Sequence, residues 1–99
     1  MITTRIIATG ACVPEQIITN DDLAKIVDTS DEWITQRTGI KERRISSGEN
    51  TSDLAVGTAR QLLEKAEVSA ESIDLIIAAS VTPDYTTPSL ACMIQKEIG

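Results

Sequence analysis

Apolar positions along this chain switch between a period of two and a period near four, and the switches divide it into strands and helices. Ile6-Ile-Ala-Thr-Gly10 is β-branched and short, and Gly10 and Pro14 close it, which predicts a strand followed by a turn. Thr19-Asn-Asp-Asp22 resembles a capping box with Asp in the usual Glu position. Leu23, Ile26 and Val27 follow at helical spacing. Ser30 caps a second short helix, Asp31 and Glu32 suit its first turn, and Gly39 stops it. A further strand is expected near Glu42 to Ser46. Thr51-Ser-Asp53 opens the strongest helix, whose apolar stripe is Ala55, Ala59, Leu62, Leu63 and Ala66. Leu75-Ile-Ile-Ala-Ala79 is nearly continuous apolar sequence and predicts a strand buried on both faces, as in a parallel sheet covered by helices. Asp84-Tyr-Thr-Thr-Pro88 reads as a loop, and Ser89 caps a last helix through Leu90, Ile94 and Ile98. Strands alternating with helices make the class α/β. So few strands cannot form a doubly covered sheet alone, so the architecture is expected to be part of a larger one.

Composition narrows the function classes. The 99 residues suffice for one domain at most. Hydrophobic residues make up 41% but aromatics only 2%, with no Phe, so the core must be built from Ile, Leu, Val and Ala. A net charge of -6 argues against general nucleic-acid binding, which needs a basic face. Met1 to Arg5 lacks the pattern of a signal peptide, and the apolar stretch from Ile73 to Val81 is too short to span a bilayer. A soluble, cytoplasmic protein with no membrane partner is expected. Cys12 and Cys92 are far apart and in no metal or redox spacing, which predicts reduced thiols and no metal site. The chain has no His, so it cannot supply the imidazole base of a Cys-His or Ser-His nucleophile.

The candidate chemistry lies in Asp28 to Arg44. Trp33 and Arg37 are four residues apart on the predicted second helix and share a face. Four of the nine cations, Arg37, Lys41, Arg43 and Arg44, crowd beside this single Trp in an otherwise acidic chain. An aromatic ring stacks on a purine and a guanidinium grips a phosphate in a bidentate fork, which suits a nucleotide-like ligand. The alternative is a buried Trp that anchors a short helix among solvated arginines.

The same residues carry a family resemblance. Gly10 to Gln16, Thr19-Asn20, Asp28 to Arg44, Thr51 to Ala55, Ile73 to Ser80 and Pro88 to Cys92 with Ile94-Gln95 resemble the N-terminal part of β-ketoacyl-acyl carrier protein synthase III. The resemblance spans nearly the whole chain. It implies a thiolase-like layered αβαβα fold, with residues 1–99 forming part of its first half. It implies a condensing enzyme that joins an acyl-CoA primer to malonyl-acyl carrier protein with loss of CO2, initiating type II fatty-acid synthesis. It further implies a homodimer and acyl-CoA as substrate, with no separate cofactor. Trp33 matches the family residue that stacks on the CoA adenine, Arg37 one that binds a CoA phosphate, and Thr29 one that contacts the adenine edge. Thr87 matches a position that reaches into the partner subunit's acyl pocket, where a small residue leaves room for longer primers. The family's catalytic Cys, His and Asn match nothing in residues 1–99, so no catalytic residue is expected here and the chain alone is expected to be inert. Cys12 and Cys92 are expected to be structural, Cys92 because it should lie some way into its helix, away from an activating N-terminus. The alternatives are a non-catalytic CoA-binding or assembly module, or a related polyketide- or quinolone-type condensing enzyme.

Overall fold

Thr19 begins the first helix by satisfying its own end. Its hydroxyl accepts from the Asp22 backbone N–H at 3.2 Å, and the Asp22 carboxylate accepts from the Thr19 N–H at 3.1 Å. This is the reciprocal capping box expected from the sequence. In the computed structural model, which describes residues 1–99, the helix is α1, Asn20–Ala24. It follows directly from β1, Gln16–Thr19. A second helix, α2, runs Asp31–Thr38, and β2 runs Glu42–Ile45. β1 and β2 pair antiparallel with Ile18 opposite Arg43, the one half-buried position on each strand. The strand expected near Glu42 to Ser46 is therefore present, but its partner β1 has too short an apolar pattern to stand out. These elements form one unit, Val13–Gly48.

A second unit comprises Met1–Cys12 with Glu49–Gly99. Its main helix, α3, is Thr51–Ala66, and the Asp53 carboxylate accepts from the Asn50 N–H at 2.8 Å ahead of its first turn. The last helix, α4, is Leu90–Ile98, with the Ser89 hydroxyl accepting from the Cys92 N–H. The two helices pack together, and Val56 and Ile94 are their buried apolar residues. The N-terminal segment lies along α3: the Ala11 N–H donates to Gln61 Oε1 at 2.9 Å, and Lys65 Nζ donates to the Thr9 carbonyl at 3.2 Å. A Cβ on Gly57 would stand 2.7 Å from Cys12 Sγ, so the missing side chain is what lets the segment approach.

Two sequence expectations are corrected in this unit. Ile6 to Gly10 and Leu75 to Ala79 form no strand, because neither finds a neighbouring strand to pair with among residues 1–99. β-branched residues favour an extended backbone, but a ladder needs a second strand. Leu75 to Ala79 is also not buried on both faces. Ile76 and Ala78 are half-buried, and Leu75 and Ile77 are 73% and 85% exposed, so only alternate side chains meet the rest of the unit. No helix is long and apolar enough to cross a membrane.

Candidate functional site

The helix α2 is short and buries none of its residues, so its ends are fixed by local polar chemistry. Ser30 adopts an extended backbone and its hydroxyl accepts from the Trp33 N–H at 3.2 Å. Gly39, at φ 72°, closes the helix in the left-handed region, its N–H donating to the Thr35 carbonyl at 2.8 Å. Both terminators are those the sequence predicts. Between them, Trp33 and Arg37 share one face as their spacing requires.

Trp33 is 52% exposed, so nothing within residues 1–99 buries it as a helix anchor. The Arg37 guanidinium carbon lies 4.3 Å from the ring centroid, a cation–π contact. Beside the ring, Asp28, Thr29, Ser30 and Trp33 line a hollow of about 370 Å³. The Thr29 hydroxyl oxygen is out of contact with solvent and has no hydrogen-bond partner. A buried hydroxyl without a partner is uncommon and costs free energy. The exposed Trp33 ring and the cation at it form a surface able to receive a flat ring that carries negative charge, and the Thr29 hydroxyl lies occluded beside it.

Two of the other clustered cations, Arg43 and Arg44, are employed elsewhere. Arg43 donates to Asn20 Oδ1 at 2.7 Å and to the Ile18 carbonyl at 3.2 Å. Arg44 donates to the Pro14 and Glu15 carbonyls. Both therefore tie β2 to its surroundings, and of the four clustered cations only Arg37 meets the ring.

Asn20 is the residue that sequence reading passed over. It is 1% exposed. Its Nδ2 donates at 2.8 Å both to Asp31 Oδ1 and to the Ile40 carbonyl, while its Oδ1 receives Arg43. The Asn20 amide first, and the Thr35 hydroxyl second, hold the Asp31 carboxyl below the usual carboxylate range. Nothing in hydrophobic periodicity marks a buried polar residue, so only the three-dimensional arrangement exposes it.

Thr87 belongs to the other unit, exposed in the loop after Asp84 and joined to Pro88 by a cis peptide bond. That loop is anchored to the start of α3: Asp84 accepts from the Ser52 N–H at 2.9 Å and from the Ser52 hydroxyl, and the Thr51 hydroxyl donates to the Thr82 carbonyl at 2.9 Å. Cys12 and Cys92 are both unpaired and exposed. Cys92 was expected some way into its helix, clear of the N-terminus, and it is not. It occupies the first turn of α4, because Ser89 is the cap.

No family model matches the chain. Individual relatives do. The β-ketoacyl-[acyl-carrier-protein] synthase III of Clostridium acetobutylicum is 58% identical over 99 residues, all of this chain and 30% of the relative. That of Streptococcus mutans is 61% identical over 87 residues, 88% of this chain and 27% of the relative. The chain matches the N-terminal part of β-ketoacyl-acyl carrier protein synthase III. The crystal structure of the synthase III from Aquifex aeolicus superposes with a TM-score of 0.93 at 51% identity, covering 97% of this chain and 31% of the other. A priming β-ketosynthase of the R1128 polyketide pathway superposes at 0.90 with 33% identity, covering 96% and 29%. The fold is thus thiolase-like α/β, as the family resemblance implied. The chain spans about 30% of the length of the synthase III relatives it matches.

Proposed function

We propose that this chain forms the adenine and phosphate end of a CoA site in a β-ketoacyl-acyl carrier protein synthase III. In the reaction so assigned, an acyl-CoA primer passes its acyl group to a cysteine thiolate and releases CoA. Malonyl-acyl carrier protein loses CO2, and its α-carbon attacks the acyl-cysteine thioester. A β-ketoacyl-acyl carrier protein forms and the thiolate is freed. Trp33 stacks on the adenine, the Thr29 hydroxyl bonds to the adenine edge, and Arg37 pairs with a CoA phosphate. Acyl-CoA enters as substrate, and no separate cofactor is assigned. On the family resemblance, the nucleophile is assigned to a part of the synthase outside residues 1–99, and neither Cys12 nor Cys92 is given that role. A cytoplasmic homodimer, with Thr87 reaching the partner subunit's acyl pocket, completes the proposal. The exposure of Thr87 on an anchored loop is compatible with that role.

The observation that carries the proposal is the half-exposed Trp33 ring with the Arg37 guanidinium against it. Titration of the full-length protein with CoA and with pantetheine tests it. A base stacked on an aromatic ring contributes about 1–3 kcal/mol, so CoA should bind roughly 5- to 150-fold more tightly. Equal affinities would contradict the proposal.

A further inference from the structure

A helix that presents a ligand-binding face must itself be held still, and α2 lacks the usual means. None of its residues is buried, and Trp33, its largest side chain, points half into solvent. Ile34 and Thr35 are only half-buried. Apolar packing therefore does little to fix the direction in which Trp33 and Arg37 face. A polar network does that instead, and one side chain is its centre.

We propose that Asn20 is a positioning residue for the nucleotide-binding face of α2. From one nitrogen it donates to Asp31, the first residue of the helix, and to the Ile40 carbonyl, just beyond the Gly39 cap. A single amide thus spans both ends of the helix. Its oxygen accepts from Arg43 on β2, and its own backbone N–H donates to the Lys41 carbonyl at 3.2 Å, extending the β1–β2 pairing. The frame of reference for α2 is therefore the two-stranded ladder. Thr35, midway along α2, adds a longer contact of 3.4 Å.

The chemistry requires an amide at this position. Two acceptors, a carboxylate and a carbonyl, face the nitrogen end, and a guanidinium faces the oxygen end. Aspartate offers no donor to either acceptor and sets a second carboxylate against Asp31. Serine and alanine cannot bridge both ends of the helix. A buried network of this kind specifies one geometry when every member is satisfied and loses it when one member is removed. Functional side chains need such support to hold their productive orientation.

This inference rests on the nucleotide reading of α2, and the test separates the two. Full-length wild-type protein, Asn20→Asp and Asn20→Ser are each titrated with CoA and with pantetheine, which lacks the adenine end, and their melting temperatures are recorded. Asn20→Ser removes the bridging amide without adding charge, so it serves where Asn20→Asp unfolds the protein. In a folded variant, CoA affinity should fall about tenfold or more as the stacking face is misaligned, with pantetheine affinity within about twofold of wild type. A wild-type preference for CoA that survives both substitutions would overturn the positioning role alone. Parallel losses for both ligands would overturn it as well, because they mark general destabilisation. Equal wild-type affinities for CoA and pantetheine would instead remove the nucleotide reading on which it stands.

Discussion

The Arg37 guanidinium covers the Trp33 ring at 4.3 Å from its centroid, so the two groups assigned to one ligand contact each other before any ligand arrives. At an exposed site such a cation–π contact is worth about 0.5–1 kcal/mol. A charge-assisted bond from the same guanidinium to a phosphate is worth about 1.5–3 kcal/mol. On the proposed reading, a bound CoA phosphate should therefore win the competition and draw Arg37 off the ring. Arg37→Ala should weaken CoA binding at low ionic strength, and the deficit should shrink as salt rises, because salt screens exposed charges. Affinity measured at two salt concentrations checks this. A deficit that is independent of salt would argue that Arg37 makes no phosphate contact.

Acid should loosen the anchor of the loop that carries Thr87. The hydrogen bond from the Ser52 hydroxyl, the largest influence, holds the Asp84 carboxyl below its ordinary range. A carboxyl depressed in the folded state contributes stability that is present above its unfolded pKa and lost as pH falls through the folded value. Asp22, brought down to about 2 chiefly by its bond to Lys25 and then by Thr19, behaves in the same sense at the start of α1. An NMR titration should find the Asp22 midpoint near 2 and the Asp84 midpoint below the model-compound value. Ser52→Ala should raise the Asp84 midpoint and leave Asp22 unmoved. A normal Asp84 midpoint in the wild type would remove the anchor.

Gly57 and Cys12 should be coupled. A methyl group at 57 would stand 2.7 Å from Cys12 Sγ, too close without movement. Gly57→Ala should destabilise the protein by about 1–3 kcal/mol, the usual range for overpacking, despite the better helix propensity of alanine. Adding Cys12→Ala should recover part of that loss, since it removes the clashing sulfur. Chemical denaturation of the two single variants and the double variant measures the coupling. Strict additivity would show that the N-terminal segment does not press on α3.

Features governed by neighbouring residues were legible in the sequence. Thr19 with Asp22, Ser30, Gly39 and Ser89 each terminate a helix as local hydrogen-bond rules require. The position of Cys92 in the first turn of α4 also follows from Ser89, three residues earlier, and a deeper placement is inconsistent with that cap. Features that depend on a distant partner were not legible. β1 becomes a strand only because Glu42–Ile45 lies beside it. Leu75 to Ala79 stays unpaired, although its sequence has every local mark of a strand. Asn20 is buried for the sake of Asp31, Ile40 and Arg43, which are distributed over the following 23 residues. At the candidate site, spacing alone put Trp33 and Arg37 on one face, but whether the ring was exposed or buried depended on what packs around α2. The employment of Arg43 and Arg44 in β2, away from the ring, was equally hidden, because a cation cluster in sequence says nothing about which backbone carbonyls will face it.

The central claim is that Trp33 is a ligand surface, and Trp33→Ala in the full-length protein tests it most directly. CoA affinity and melting temperature are measured together on the same preparations. Loss of a stacking surface worth about 1–3 kcal/mol should weaken CoA binding roughly 5- to 150-fold. Because the ring is 52% exposed, the melting temperature should stay within a few degrees of wild type. Unchanged CoA affinity in a well-folded Trp33→Ala protein would contradict the claim.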